Sequence, residues 1–233
     1  MIRFEQLVIG YQTQLLSIDF ETLEAGKAYA LIGANGSGKS TFLKTIAGQL
    51  STISGKISIN EVDIAQLKAG EKAKLVAFVS SRFPELANIS VQEYIGLGRT
   101  PYLNALGRLS DKDRSIVHSS IVELNIQHLS NKMISELSDG EKQLCAIARA
   151  ICQETNIILL DEPSNFLDYK NRQLILDKIN QLAKNRCIIF SSHDLEMVSA
   201  RFDNFLLVKS QDQQLIKLAA SMNAQELAKL AFD

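Results

Sequence analysis

Apolar positions in the first third of the chain fall in short runs. Arg3–Val8, Leu15–Phe20 and Lys27–Ile32 read as strands, with turn signals at Gly10 and at Glu24-Ala25-Gly26. Gly55–Asn60 and Leu75–Val79 continue the series. From Asn88 to about Ile134 the pattern becomes helical, with polar spacers and no long β-branched run. Within it, Ser110-Asp111-Lys112-Asp113 has the capping serine and early acids of a helix start. Strand character returns at Ile157–Leu160, Cys187–Ser191 and Phe205–Val208, and Asn223–Phe232 has the apolar spacing of a terminal helix. Short strands alternating with helices predict an α/β fold: a mainly parallel sheet with helices on its faces and the helical middle inserted at one end. There is no internal repeat or flexible linker, so residues 1–233 are expected to form a single domain.

Composition narrows the function. With 46% hydrophobic and 22% charged residues, the chain has the balance of a soluble globular protein. A net charge of −1 provides no basic field for nucleic acid. No apolar run is long enough to span a bilayer, and Met1-Ile2-Arg3-Phe4-Glu5-Gln6 lacks the pattern of a signal peptide. A cytoplasmic protein is expected, one that would act at a membrane only through a separate partner. Cys145 and Cys152 lie on one face of an expected helix about 10 Å apart, too far for a disulfide. With Cys187 they read as small buried hydrophobes, and no histidine stands at metal-ligand spacing from any of them.

Three segments carry chemistry. Gly33-Ala34-Asn35-Gly36-Ser37-Gly38-Lys39-Ser40 fits the phosphate-loop pattern G-x-x-x-x-G-K-[ST]. It lies between a buried strand, Ala28–Ile32, and a helix beginning near Thr41 whose N-terminus faces the anion. Backbone N–H groups would cradle phosphate, Lys39 would reach the β- and γ-phosphates of a nucleotide, and Ser40 would ligate Mg²⁺. Ile157-Ile158-Leu159-Leu160-Asp161-Glu162 is a buried strand that delivers two acids to the sheet edge. There Asp161 would orient Mg²⁺ through its water shell and Glu162 would polarise the attacking water. Leu137-Ser138-Asp139-Gly140-Glu141-Lys142-Gln143 precedes a helix, and Ser138 with Glu141 forms an S-x-x-E capping box. The same exposed N-terminus could bind an anion.

Taken in order, these segments resemble an ATP-binding-cassette ATPase over nearly the whole chain. The resemblance implies a phosphate-loop, RecA-like parallel core with an antiparallel β subdomain and a helical subdomain at about residues 82–137. Leu137–Gln143 is similar to the family signature, usually Leu-Ser-Gly-Gly-Gln. Leu159–Pro163 resembles the second nucleotide motif with its catalytic glutamate. Ser164-Asn165-Phe166-Leu167-Asp168 resembles the loop at the dimer interface, and Ser192-His193-Asp194 resembles the switch histidine. Tyr11 matches the aromatic that stacks on adenine. Two chains are thereby expected to pack head to tail around two ATP molecules. Each nucleotide would lie on Gly33–Thr41 of one chain and against Ser138, Asp139, Gly140 and Glu141 of the other. Three positions depart from the pattern. Asp139 replaces glycine, Glu141 replaces glutamine, and Ser81 stands where a metal-contacting glutamine is usual. His118 and His128 match nothing in the pattern.

Gly96-Leu97-Gly98-Arg99-Thr100-Pro101-Tyr102, followed by Leu109–Asp113, resembles importer subunits for iron–siderophore complexes, haem and cobalamin. This implies a peripheral ATPase on the cytoplasmic face of the membrane, docked on a separate permease through Ser81–Leu86 and the helical insertion, with a substrate-binding protein as an indirect partner. The alternative is a soluble cassette ATPase not coupled to transport, regulatory or acting on ribosomes or DNA; a cassette that only binds nucleotide is disfavoured by Glu162 and His193 both being in place. A cassette acting on ribosomes or DNA would show two cassettes or a long coiled-coil insertion, and the chain has neither pattern.

Overall fold

The computed structural model describes residues 1–232 apart from Ala87, Ala105, Phe166, Ser210 and Ala220. The strands are β1 (Ile2–Gly10), β2 (Gln14–Ile18), β3 (Thr22–Leu23), β4 (Lys27–Ile32), β5 (Ser54–Ile59), β6 (Val62–Asp63), β7 (Val76–Val79), β8 (Ile157–Leu160), β9 (Cys187–Ser191), β10 (Asn204–Lys209) and β11 (Gln214–Ala219). The helices are α1 (Lys39–Ile46), α2 (Ala69–Leu75), α3 (Val91–Gly96), α4 (Asp111–Glu123), α5 (Asp139–Cys152), α6 (Tyr169–Ala183), α7 (Leu195–Ser199) and α8 (Ala224–Phe232).

All the strands belong to one sheet, ordered β6-β5-β1-β2-β11-β10-β4-β9-β8-β7, with β3 beside β1. The run from β10 to β7 is parallel. β1 pairs antiparallel with β2, β3 and β5. The antiparallel hairpin β10–β11 joins the two regions through a short parallel pairing of β11 with β2.

Buried on both faces, the parallel strands are continuous aliphatic runs, as such strands must be. Alternate residues serve different cores. Ala30, Ile158, Leu160, Ile188, Phe190, Phe205 and Leu207 pack towards α3–α8. Leu31, Ile157, Leu159, Ile189, Leu206 and Val208 pack with Phe42 and Leu43 of α1 and with the side chains of β1 and β5. The central strand β4 is thereby clamped on two sides, and the loop that leaves it starts from a fixed edge.

Several elements depart from the expected ones. Leu75 closes α2 instead of opening β7, and α1 begins at Lys39, inside the phosphate-loop motif. α2 buries no side chain, so it leaves no apolar stripe to read. The helical middle is broken by a 3₁₀ stretch, Leu97–Tyr102, that contains Pro101. β11 fills a stretch with no expected strand; of its residues only Leu215 is buried.

Candidate active site

The loop after β4 is shaped by its glycines. Gly36 and Gly38 have φ of 75° and 106°, in the left-handed region. A Cβ on Gly38 would lie 2.9 Å from Leu15 Cδ2, and one on Gly33 would lie 2.8 Å from Val208 Cβ. Asn35 and Gly36 are exposed, Ala34 is half-buried, and Ser37 is buried. The Ser37 hydroxyl is enclosed and has no hydrogen-bond partner among the described residues. Lys39 is buried, and its ammonium donates to Gly33 O at 2.8 Å and Ala34 O at 2.9 Å. Burial pushes the Lys39 pKa down, and the nearby Glu162 and Asp161 carboxylates oppose that shift. Ser40 is half-buried and Thr41 buried in the first turn of α1.

The two acids lie at the end of β8. Asp161 is 2% exposed and is held between neighbouring strands. Its N–H donates to Val79 O at 2.9 Å, and its Oδ1 accepts from the Ser191 hydroxyl at 2.8 Å. Glu162 has φ of 53°, a rare conformation for a side-chain-bearing residue. Its N–H donates to Ser191 Oγ at 2.8 Å. One Glu162 carboxylate oxygen lies 2.9 Å from His193 Nε2, and the other accepts a short hydrogen bond from the Asn165 amide. The expected partners Lys39, Asp161, Glu162 and His193 therefore gather at one sheet edge. Ser191 and Asn165 join them without having been singled out. A polar residue closing the buried run Cys187–Phe190 was the available signal for Ser191.

The other expected residues lie around this centre. Ser138 caps α5 and accepts from the Glu141 N–H. The Glu141 carboxylate accepts from both the N–H and the hydroxyl of Ser138, each at 2.8 Å, and these bonds hold its pKa below the usual range. Asp139 is exposed and lies 3.5 Å from Lys142 Nζ. It lines an open groove of about 800 Å³ together with Ser81, Arg82, Leu86 and Gln143. Gly140 is in the first turn of α5. Asp168 caps α6 through the Asn171 N–H at 2.8 Å, while Phe166 of the same loop lies outside the described residues. Tyr11 is 68% exposed in the turn between β1 and β2. His118 and His128 are exposed, and the three cysteines are free and buried.

A parallel sheet whose clamped strand feeds a glycine loop and a helix, with two acids at a neighbouring strand end, defines a phosphate-loop nucleoside triphosphatase. Comparison with known proteins refines that class. The profile of the ABC transporter family matches residues 17–165. The iron(3+)-hydroxamate import ATP-binding protein FhuC of Bacillus subtilis is 34% identical over 206 residues, covering 87% of this chain and 76% of that one. The achromobactin transport ATP-binding protein CbrD of Dickeya dadantii is 30% identical over 236 residues, covering all of this chain and 87% of that one. Among solved structures, a transporter described as of metal-chelate type, in an inward-facing conformation, superposes with a TM-score of 0.80 at 28% identity over 99% of this chain and 88% of that one. The chain belongs to the ABC transporter family; it is an ATPase of that family, with ATP and Mg²⁺ as its ligands.

Proposed function

We propose that this chain is the ATP-hydrolysing subunit of an importer for an iron–siderophore complex or a related large metal complex. The observation that carries the ATPase reading is the convergence of Lys39, Asp161, Glu162 and His193 on the mouth of the glycine loop. The import reading draws on the cargo named for the relatives from Bacillus subtilis and Dickeya dadantii.

Each residue has a task on this reading. Backbone N–H groups of Gly33–Lys39 and the unpartnered Ser37 hydroxyl bind phosphate oxygens, and Lys39 turns from its own loop carbonyls to the β- and γ-phosphates. Oxygen donors suited to Mg²⁺ are present in Ser40 and Asp161. Bound there, Mg²⁺ neutralises charge on the phosphates. Glu162 accepts the proton of the attacking water, and His193 orients the Glu162 carboxylate. Tyr11, exposed beyond β1, offers a ring face to adenine.

Ser138 and Gly140 act on the nucleotide held by a second copy, across an interface that includes Asp168. Asp139 lines the groove, and the Lys142 ammonium beside it offsets the charge of its carboxylate. The groove from Ser81 to Leu86 receives the membrane-embedded permease, with Ser81 acting on the metal only through a water. A peripheral position at the cytoplasmic membrane face follows from such a partner. Among the described residues, no helix is long and apolar enough to cross a membrane.

Glu162→Gln tests the centre of this reading. It keeps shape and hydrogen bonding but removes the base. Hydrolysis should fall by about a hundredfold or more while ATP affinity is kept. In ATP and Mg²⁺ the variant should elute from a sizing column as a dimer. Normal turnover, or a persistent monomer, would contradict the assignment.

A further inference from the structure

β8 and β9 run parallel with Leu160 beside Phe190, so Asp161 and Ser191 leave the same sheet edge next to one another. Ser191 is fully buried at the end of an apolar run. A hydroxyl in that place must find partners, and this one uses both its donor and an acceptor. It accepts from the Glu162 N–H and donates to Asp161 Oδ1, both at 2.8 Å. An amide can only donate, so the serine proton is committed to the carboxylate. The hydrogen-bond chain therefore has one direction, from Glu162 N–H through Ser191 to Asp161. The Glu162 backbone is in the left-handed region, where a non-glycine residue persists only when its surroundings hold it.

We infer that Ser191 is a positioning residue for both acids: its hydroxyl ties back one oxygen of Asp161, leaving the other for a divalent cation, and anchors the turn that aims Glu162. This rests on the reading of Asp161 as the metal-facing acid and Glu162 as the base. A serine that merely filled space would contribute to stability alone. A positioning serine also sets how strongly Mg²⁺ tightens ATP binding.

The test compares Ser191→Ala with Ser191→Thr, which keeps the hydroxyl. A fluorescent ATP analogue is titrated in EDTA and in graded Mg²⁺, and kcat and KM are measured beside melting curves. In Ser191→Ala, metal-free affinity should stay within about twofold of the parent. The Mg²⁺ concentration for half-maximal tightening should rise about fivefold or more, and kcat should fall about tenfold with KM little changed. Ser191→Thr should restore most of both. In the Glu162→Gln background, where turnover is blocked, Ser191→Ala should raise the Mg²⁺ needed to hold the ATP dimer. Should the alanine variant not fold, Ser191→Cys, a weak donor of similar shape, carries the same measurements. Parent-like Mg²⁺ dependence and kcat in Ser191→Ala, or in that cysteine substitute, would overturn the inference. Asp161→Asn is the control. If it too leaves Mg²⁺ dependence unchanged, the reading of the acids fails; if it alone abolishes it, only the role of Ser191 fails.

Discussion

Lys39 rests on the carbonyls of Gly33 and Ala34, so the loop is folded around its own cation. A ligand must draw that ammonium away, and only a strong anion offers enough in return. Lys39→Ala should therefore abolish measurable ATP binding and hydrolysis with melting temperature changed by no more than a few degrees, as read by calorimetry. Retained ATPase activity would refute the site. The cysteines show the opposite behaviour at the same scale. Burial pushes the thiols of Cys145 and Cys187 up to about 12 and that of Cys152 up to about 11. Thiolate is the reactive form, so none should react with an alkylating reagent at pH 8 in the native protein. All three should react once the chain is unfolded, and mass spectrometry would count the additions. Fast native labelling of any one would show that its surroundings open.

At the scale of elements, Arg99 joins several segments. Its guanidinium is buried, with Nε 2.8 Å from Asp113 Oδ1 and Nη1 2.9 Å from both Cys152 O and Glu154 Oε2. The ring of Tyr102 stacks 4.1 Å away. One side chain thus ties the 3₁₀ stretch to the start of α4 and the end of α5. The Ser110 hydroxyl and then Arg99 hold the Asp113 pKa down to about 2, against 3.8 for a free aspartate. The folded state therefore binds fewer protons than the unfolded chain between those values. The stabilisation is complete above about pH 4 and drains away as pH falls towards 2. Asp113→Asn should flatten the pH dependence of the urea midpoint in that window, and an unchanged profile would place the acid sensitivity elsewhere. Arg99→Lys should cost about 3 kcal/mol in denaturant, since an ammonium cannot serve those partners in one plane.

The sequence announces the ends of this network but not its closure. Ser110-Asp111-Lys112-Asp113 reads as a capped helix start, and the cap is present. That Asp113 also meets Arg99 depends on tertiary packing, which a local pattern does not encode. Likewise Gly33–Ser40 and Ile157–Glu162 were legible because phosphate chemistry and buried strands impose narrow residue choices. Ser191 and Asn165 were not, because their roles arise only when separate strand ends and turns converge. β11 was hidden for another reason: although it pairs with β10 along its whole length, only Leu215 of its residues is buried, which leaves no alternation to read.

At the scale of the whole molecule, the proposed pairing of two chains sets the phosphate loop of one against the Ser138 cap of the other. On the shared-site reading, a mixture of Ser138→Arg and Lys39→Ala chains forms dimers in which one site carries both defects and the other carries neither. Mixing should then restore partial ATPase activity that neither variant has alone. Full activity in the Ser138→Arg homodimer would reject the shared site. The Ser138 hydroxyl and the Glu141 carboxylate already satisfy each other in the single chain. On the shared-site reading, closure diverts a bond worth about 1 kcal/mol, a cost that ATP between the two chains offsets.

The border of the sheet has a consequence of its own. β7 is the last strand, and Val79 O faces inward to Asp161. By alternation, Val76 O and Phe78 O face outward, where a foreign strand could add. They are not open: Gln153 Nε2 donates to Val76 O at 3.0 Å, and Arg149 Nη2 donates to Phe78 O at 3.3 Å. Helix α5 and the residue that follows it thus plug the acceptors with side-chain donors, guarding the molecule against edge-to-edge aggregation. The helix that presents Ser138 at its start closes this edge of the sheet at its other end.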